Sequence, residues 1–162
     1  MTSSYLEEYC RVQLDCSSEK TLYEAQSARM SGLKLILDGL PTITIAENIL
    51  KYVTLATLSE QQIGNLTGTN VASLETAKIA ALKLYGKGVD TVIITMGAKG
   101  VLVFSDEVFT IVGAPLNSNF DAEVIGNVFN TVLPLALGTQ FNLLQAVKSA
   151  YQTTTSIILS LN

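Results

Sequence analysis

Histidine and tryptophan are both absent from the 162 residues, and charged side chains make up only 15% of them. Without histidine the chain lacks the commonest general base near neutral pH and the commonest transition-metal ligand, so no metal site is expected. Cysteine is nearly as scarce. Cys10 and Cys16 have no partners at metal-ligand spacing and read as free thiols in a reducing compartment. Lys and Arg number 10 against 14 Asp and Glu, and the resulting charge of −4 leaves no basic footprint for nucleic acid. A signal sequence is lacking as well: Thr2, Ser3 and Ser4 are polar and uncharged, and Glu7 and Glu8 follow. The longest apolar run, residues 128–137, is interrupted by Asn130, Thr131 and Pro134 and is too short to span a bilayer. A cytoplasmic location follows as the expectation, with neither a membrane nor a nucleic acid as partner.

What is there is mostly apolar, at 48%. An average soluble domain is about 25% charged, so part of this surface is expected to be covered by another subunit. The length suits a single domain over residues 1–162, with residues 1–10 as a loosely packed lead-in.

The chain is organised around residues 88–104, GVDTVIITMGAKGVLVF. Residues 89–95 are β-branched and apolar, long enough for a strand covered on both faces. Met96, Gly97, Ala98, Lys99 and Gly100 interrupt the run, and the two glycines supply the freedom a tight turn needs. A second strand resumes over residues 101–104, giving strand, turn, strand.

Before this centre, residues 12–15 form a short strand candidate. A helix capped by Ser17 or Ser18 runs to about Ser31, with Gly32 just past its end. Residues 33–37 read as a strand, 38–41 as a turn, 44–51 as a helix and 52–55 as a third strand. Ser59 and Gln62 have capping-box spacing for a short helix that Gly68 ends. Ser73 caps the next helix, in which Leu74, Ala77, Ala80, Ala81 and Leu84 make one apolar stripe. After the hairpin come a turn at 105–107, a strand at 108–112 and a loop at 113–120. Asp121 then caps a long apolar helix to about Leu137, kinked by Pro134. Asn142 and Gln145 start a last helix whose far end is weakened by Thr153, Thr154 and Thr155. Strands alternating with helices mean crossover units and a parallel sheet, here with an antiparallel hairpin at one side.

TMGAKGVLVF resembles the T-x-G-x-x-G hairpin of the ribokinase or pfkB family of sugar and nucleoside kinases, where that turn borders the ATP site. RVQLDCSSEKTLYEAQSARMSGLKLILDGLP is similar to the family's strand, helix and strand ending in an Asn-Pro-Ala-Pro-like turn. ATLSEQQIGNLTG resembles its T-P-N-E-x-E-A-x-x-L-T-G segment, and DAEVIGNVFNTVLPLAL follows the frame of its signature D-T-T-G-A-G-D-A-F. The resemblance runs from about residue 11 through nearly the whole chain. It implies the C-terminal half of a three-layer, ribokinase-like α/β fold, with helices on both faces of a mostly parallel sheet. It also implies nucleotide-binding positions at Thr95, Gly97 and Gly100.

The departures bear on activity. The family's last signature Asp accepts the proton of the substrate hydroxyl during phosphoryl transfer. Asn127 occupies that position, and an amide cannot take a proton, while a positioned base is worth roughly 100- to 10,000-fold. In an ordinary protein it is simply an early helix residue with a solvated or capping side chain. The family's Gly-Ala-Gly, which offers backbone N–H groups to the phosphates, falls on Val124, Ile125 and Gly126. Val124 resists positive φ, and the branched side chains crowd the approach. Glu123 stands where the family has threonine, helping the helix dipole and repelling a phosphate. The N-x-x-E motif that organises magnesium falls on Ser59 and Gln62, a poor ligand for a hard cation and a complete capping pair by itself. The family's N-terminal half, which carries most sugar contacts, has no counterpart before residue 11.

Three functions remain in view. The first is a non-catalytic, pseudokinase-like protein acting through self-association, as a homodimer, or with a chain that supplies the missing half. The second is an ATP-dependent carbohydrate kinase, a transferase acting alone or completed by another chain and using Asp121 or Glu123 as base. The third is a nucleotide-binding module without turnover. No cofactor is expected under the first, and ATP with magnesium belongs only to the others. Lys78, Lys83 and Lys87 line up loosely on one helix and read as a solvated face.

Overall fold

The computed structural model describes residues 9–12, 18–38, 47–113, 120–139 and 142–161. Its strands are β1 (Tyr9–Val12), β2 (Lys34–Asp38), β3 (Leu55–Ser59), β4 (Thr91–Thr95), β5 (Val101–Ser105) and β6 (Val108–Val112). Among the described residues these form one sheet in the order β1-β2-β3-β4-β5-β6. The first four strands are parallel and the last two antiparallel. The connecting helices are α1 (Ser18–Met30), α2 (Glu47–Leu50), α3 (Glu60–Thr67) and α4 (Leu74–Gly86), and the chain closes with α5 (Ala122–Leu137) and α6 (Leu143–Ser160).

Strand order equals chain order through β4, so every crossover steps in the same direction. Right-handed crossovers that all step one way must place their helices on one face. The core divides accordingly. Leu35, Leu37, Ala56, Leu58, Val92 and Ile94 pack with Ala25, Leu50, Ile63, Ala77, Ala81 and Leu84 of α1 to α4. Their neighbours Ile36, Leu55 and Ile93 point the other way, onto Phe129, Leu133, Ala146, Val147 and Ala150 of α5 and α6. The result is three layers. A strand that buries both faces has no polar alternation, which is why these segments read as continuous apolar runs.

The local signals hold where they are described. The stripe on α4 buries Ala77, Ala80, Ala81 and Leu84, with Leu74 partly buried at its start. Gly68 ends α3 at φ 65° and Gly32 follows α1 at φ 79°, left-handed positions that favour glycine. Residues 114–119 of the expected 113–120 loop, 39–41 of the expected turn and 44–46 of the expected helix lie outside the described residues.

Two strands differ in position from the sequence expectation. The first occupies Tyr9–Val12 instead of 12–15, with Tyr9 opposite Lys34 and Val12 opposite Leu37. The expected lead-in is therefore part of the sheet at Tyr9 and Cys10, while residues 13–15 lie outside the described residues. The third strand starts at Leu55 instead of ending there. Tyr52 and Val53 donate to the carbonyls of Ile49 and Leu50 at 2.9 and 3.1 Å, so they still close the turn after α2. Ala56 is a weak strand former, and its burial between β2 and β4 overrides propensity.

α5 is continuous through Pro134, and α6 passes through Thr153 to Thr155 to end at Ser160. The threonines are held locally and by packing: Thr154 is fully buried and its hydroxyl donates to the Ala150 carbonyl at 2.7 Å.

Candidate functional site

β3 and β4 end side by side, with Ser59 opposite Thr95. Both residues stand at the carboxyl ends of parallel strands, the edge at which open α/β sheets hold their ligands.

From Ser59 the chain turns directly into α3. Ser59 Oγ accepts the Gln62 N–H at 3.1 Å, and Gln62 Oε1 accepts the Ser59 N–H at 2.8 Å. This is a complete capping box. The oxygen that a cation would need from Gln62 is engaged in starting its own helix. Among the described residues no group of three or more Cys, Asp or Glu is placed to hold a metal ion.

From Thr95 the chain makes a tight turn through Met96 and a single 3-10 turn, Gly97–Lys99, to Gly100. Met96 N–H donates to the Gly100 carbonyl at 2.9 Å. Gly97 and Gly100 have φ of 58° and 102°, so the turn itself requires glycine. Space requires it too. A Cβ on Gly97 would lie 2.7 Å from Ala122 Cβ, and one on Gly100 would lie 2.6 Å from the Val112 carbonyl oxygen. On α5, a Cβ on Gly126 would lie 3.2 Å from Thr95 Oγ1. Ser59, Thr95, Gly97, Ala122 and Gly126 are thus brought to one place, and each of the three glycines has a packing reason within the chain.

α5 begins at this same place. Asp121 is its cap, and its carboxylate accepts the Glu123 N–H at 2.8 Å. The Ile125 N–H donates to the Asp121 carbonyl at 3.1 Å, closing the first helical turn. Gly126 lies further inside the helix, where the N–H faces the carbonyl four residues back. Two of the three amides at the expected anion hole are therefore engaged by helix geometry. Val124 is 44% exposed and projects its branched side chain at the surface, whereas Ile125 is buried. Asn127 lies in the second turn with its side chain exposed, and its carbonyl accepts the Thr131 hydroxyl at 2.9 Å. Asp121 and Glu123 are exposed in the first turn, so any anion arriving there meets two carboxylates.

ATP with magnesium, the group this edge resembles a site for, does not fit these residues. Gln62 is capping, Ile125 and Gly126 are committed to the helix, and the helix entrance carries negative charge.

Two polar features of the same region were not singled out from sequence. The Thr57 hydroxyl donates to Asn130 Oδ1 at 2.7 Å in a buried contact that ties β3 to α5. Asp38, the last residue of β2 and opposite Thr57, is buried at 8% exposure. The signal for the first was available: Asn130 interrupts an otherwise apolar helix stripe. Asp38 looked like an ordinary turn residue beside Gly39.

The lysines of α4 are partnered. Lys78 pairs with Glu75 at 3.7 Å and lies 5.7 Å above the Phe109 ring, and Lys83 Nζ donates to Thr69 Oγ1 at 3.0 Å.

Comparison with known proteins places this geometry. The family described as pfkB family carbohydrate kinase matches residues 4–123. A ribokinase of Haemophilus influenzae is 31% identical over 119 residues, which are 74% of this chain and 39% of the relative. Among solved structures, Arabidopsis thaliana ribokinase complexed with ribose and ATP is similar at a TM-score of 0.79 and 19% identity, over 92% of this chain and 49% of that one. Thermotoga maritima ribokinase is similar at a TM-score of 0.76 and 26% identity, over 91% and 48% respectively. The chain spans about half the length of these solved relatives and less of the curated one.

Proposed function

Because the chain belongs to the pfkB family of carbohydrate kinases, we propose that it is a non-catalytic member, one that keeps the scaffold and acts through self-association or with a partner chain. The observation that carries this reading is the first turn of α5. Its Ile125 amide is spent on the Asp121 carbonyl and its Glu123 amide on the Asp121 carboxylate. Asn127 completes the case chemically, since its amide cannot remove a proton from an alcohol. The retained glycines of the turn do not argue otherwise, because Gly97 and Gly100 are each required by positive φ and by contacts within the fold, and Gly126 packs closely on Thr95.

Titration calorimetry with ATP and ADP, with and without magnesium, tests this. No heat at millimolar nucleotide is the expected result. Saturable binding together with phosphorylation of any member of a sugar panel would overturn it.

A second reading, a nucleotide-binding module without turnover, is favoured by one observation: Thr95, Gly97 and Gly100 keep the family pattern in a well-formed turn at the sheet edge. Calorimetric binding with no phosphoryl transfer would select it. The remaining alternative, a carbohydrate kinase acting alone or completed by another chain, requires Asp121 or Glu123 to act as base. Asp121→Asn and Glu123→Gln would then abolish turnover.

A further inference from the structure

β6 is the last strand of the sheet, and among the described residues nothing pairs with its outer edge. Its ladder with β5 closes through Asp106 and Glu107, with Ser105 opposite Val108, Val103 opposite Thr110 and Val101 opposite Val112. A two-residue hairpin loop makes the closing pair hydrogen-bonded, and hydrogen-bonded pairs alternate along an antiparallel ladder. The N–H and C=O groups of Val108, Thr110 and Val112 therefore point to β5. The nearness of the Val112 carbonyl to Gly100 agrees with this. The corresponding groups of Phe109 and Ile111 point outwards.

Among the described residues this edge has none of the devices that keep edges apart. Val108–Val112 reads VFTIV, with no lysine, no proline and no charge. Val108 is 60% exposed and Ile111 51%. The sequence is also nearly palindromic about Thr110, and that selects the occupant. Turned about a two-fold axis at Thr110, the strand meets a second copy of itself with Phe109 opposite Ile111, Thr110 opposite Thr110 and Val108 opposite Val112. Aromatic–β-branched and Thr–Thr pairs are among the favoured cross-strand neighbours. The charges permit it as well: the acidic turn of each copy, Asp106 and Glu107, falls at the opposite end of the ladder from the other.

We propose that the chain forms a two-fold dimer by antiparallel pairing of β6 with β6 of a second copy, centred on Thr110, so that one sheet runs through both subunits. This deepens the self-association part of the function proposed above and does not depend on the loss of catalysis.

Light scattering of the whole chain at about 100 µM, with cross-linking, tests it. The wild type is expected at twice the 17.3 kDa chain mass, and Ile111→Pro, which removes an outward N–H and no hydrogen bond to β5, is expected at the single-chain mass with unchanged circular dichroism. In a Cys10→Ser/Cys16→Ser background, Thr110→Cys is expected to form an intermolecular disulfide on mild oxidation. Non-hydrogen-bonded antiparallel pairs bring Cα atoms to about 4.5 Å, within disulfide range. Val108→Cys is the register control: the two copies of residue 108 would stand roughly 13 Å apart, too far to bridge. A monomeric wild type overturns both the dimer and the self-association reading. A dimer that persists in Ile111→Pro, or that cross-links through Val108→Cys and not Thr110→Cys, overturns the β6 pairing and leaves self-association by another surface.

Discussion

Asp106 and Glu107 turn the β5–β6 hairpin at φ of 51° and 62°. Two consecutive left-handed residues make the turn whose twist suits a hairpin, and they are the positions at which nature prefers asparagine and glycine. A left-handed conformation costs a residue with a side chain about 1–2 kcal/mol, and glycine gives back part of that in chain entropy. Glu107→Gly should therefore raise the unfolding free energy by about 0.5–1 kcal/mol, read as a shift of the urea midpoint at unchanged slope. Tyr151 offers a test by pH. Burial pushes its phenol above the ordinary value of 10, so the folded chain keeps the proton that the unfolded chain gives up first. Stability from this group is whole below pH 10 and is lost as pH rises through the folded value. Unfolding midpoints measured from pH 8 upward should fall beyond pH 10, and Tyr151→Phe should flatten that fall.

Helix α5 shows how much could be read in advance and what could not. Its cap, its start and its apolar character follow from local patterns, Asp121, the first-turn Glu123 and the long apolar run, while the structure adds which residues it buries, Ile125, Phe129 and Leu133 among them. The departures at Val124 and Asn127 are legible only against the family signature that this stretch resembles. The engagement of the Ile125 amide is a consequence of where the first turn closes, and it emerges only with the backbone in place. Nor does any local pattern join Thr57 to Asn130, since they are 73 positions apart. That contact should govern how firmly α5 is held. Thr57→Val leaves Asn130 with a buried, unpaired oxygen and is expected to cost about 1–3 kcal/mol. The double change Thr57→Val/Asn130→Leu should recover much of it, and a double-mutant cycle by chemical denaturation measures the coupling. The position of the strand at Leu55–Ser59 is not legible in the sequence for a related reason: Ala56 carries little strand preference, and its neighbours on both sides decide the matter.

Across the whole molecule, the two faces of the sheet are furnished by different parts of the chain. One is covered by α1 to α4 as the strands are laid down, and the other only by α5 and α6. Alternating layers were evident from the order of strands and helices, but the division of labour between faces was not. It depends on each new strand joining beside the previous one, which is a property of strand order. A ribosome delivers this chain in that same order, at about 5–20 residues per second. Growth is therefore one-sided: a nascent chain halted at Gly113 has its strands and one helical layer, while Ile36, Leu55 and Ile93 still face water. Such a truncated product should bind a hydrophobic dye strongly and aggregate where the whole chain stays clear, so the final two helices set the interval during which a chaperone is needed.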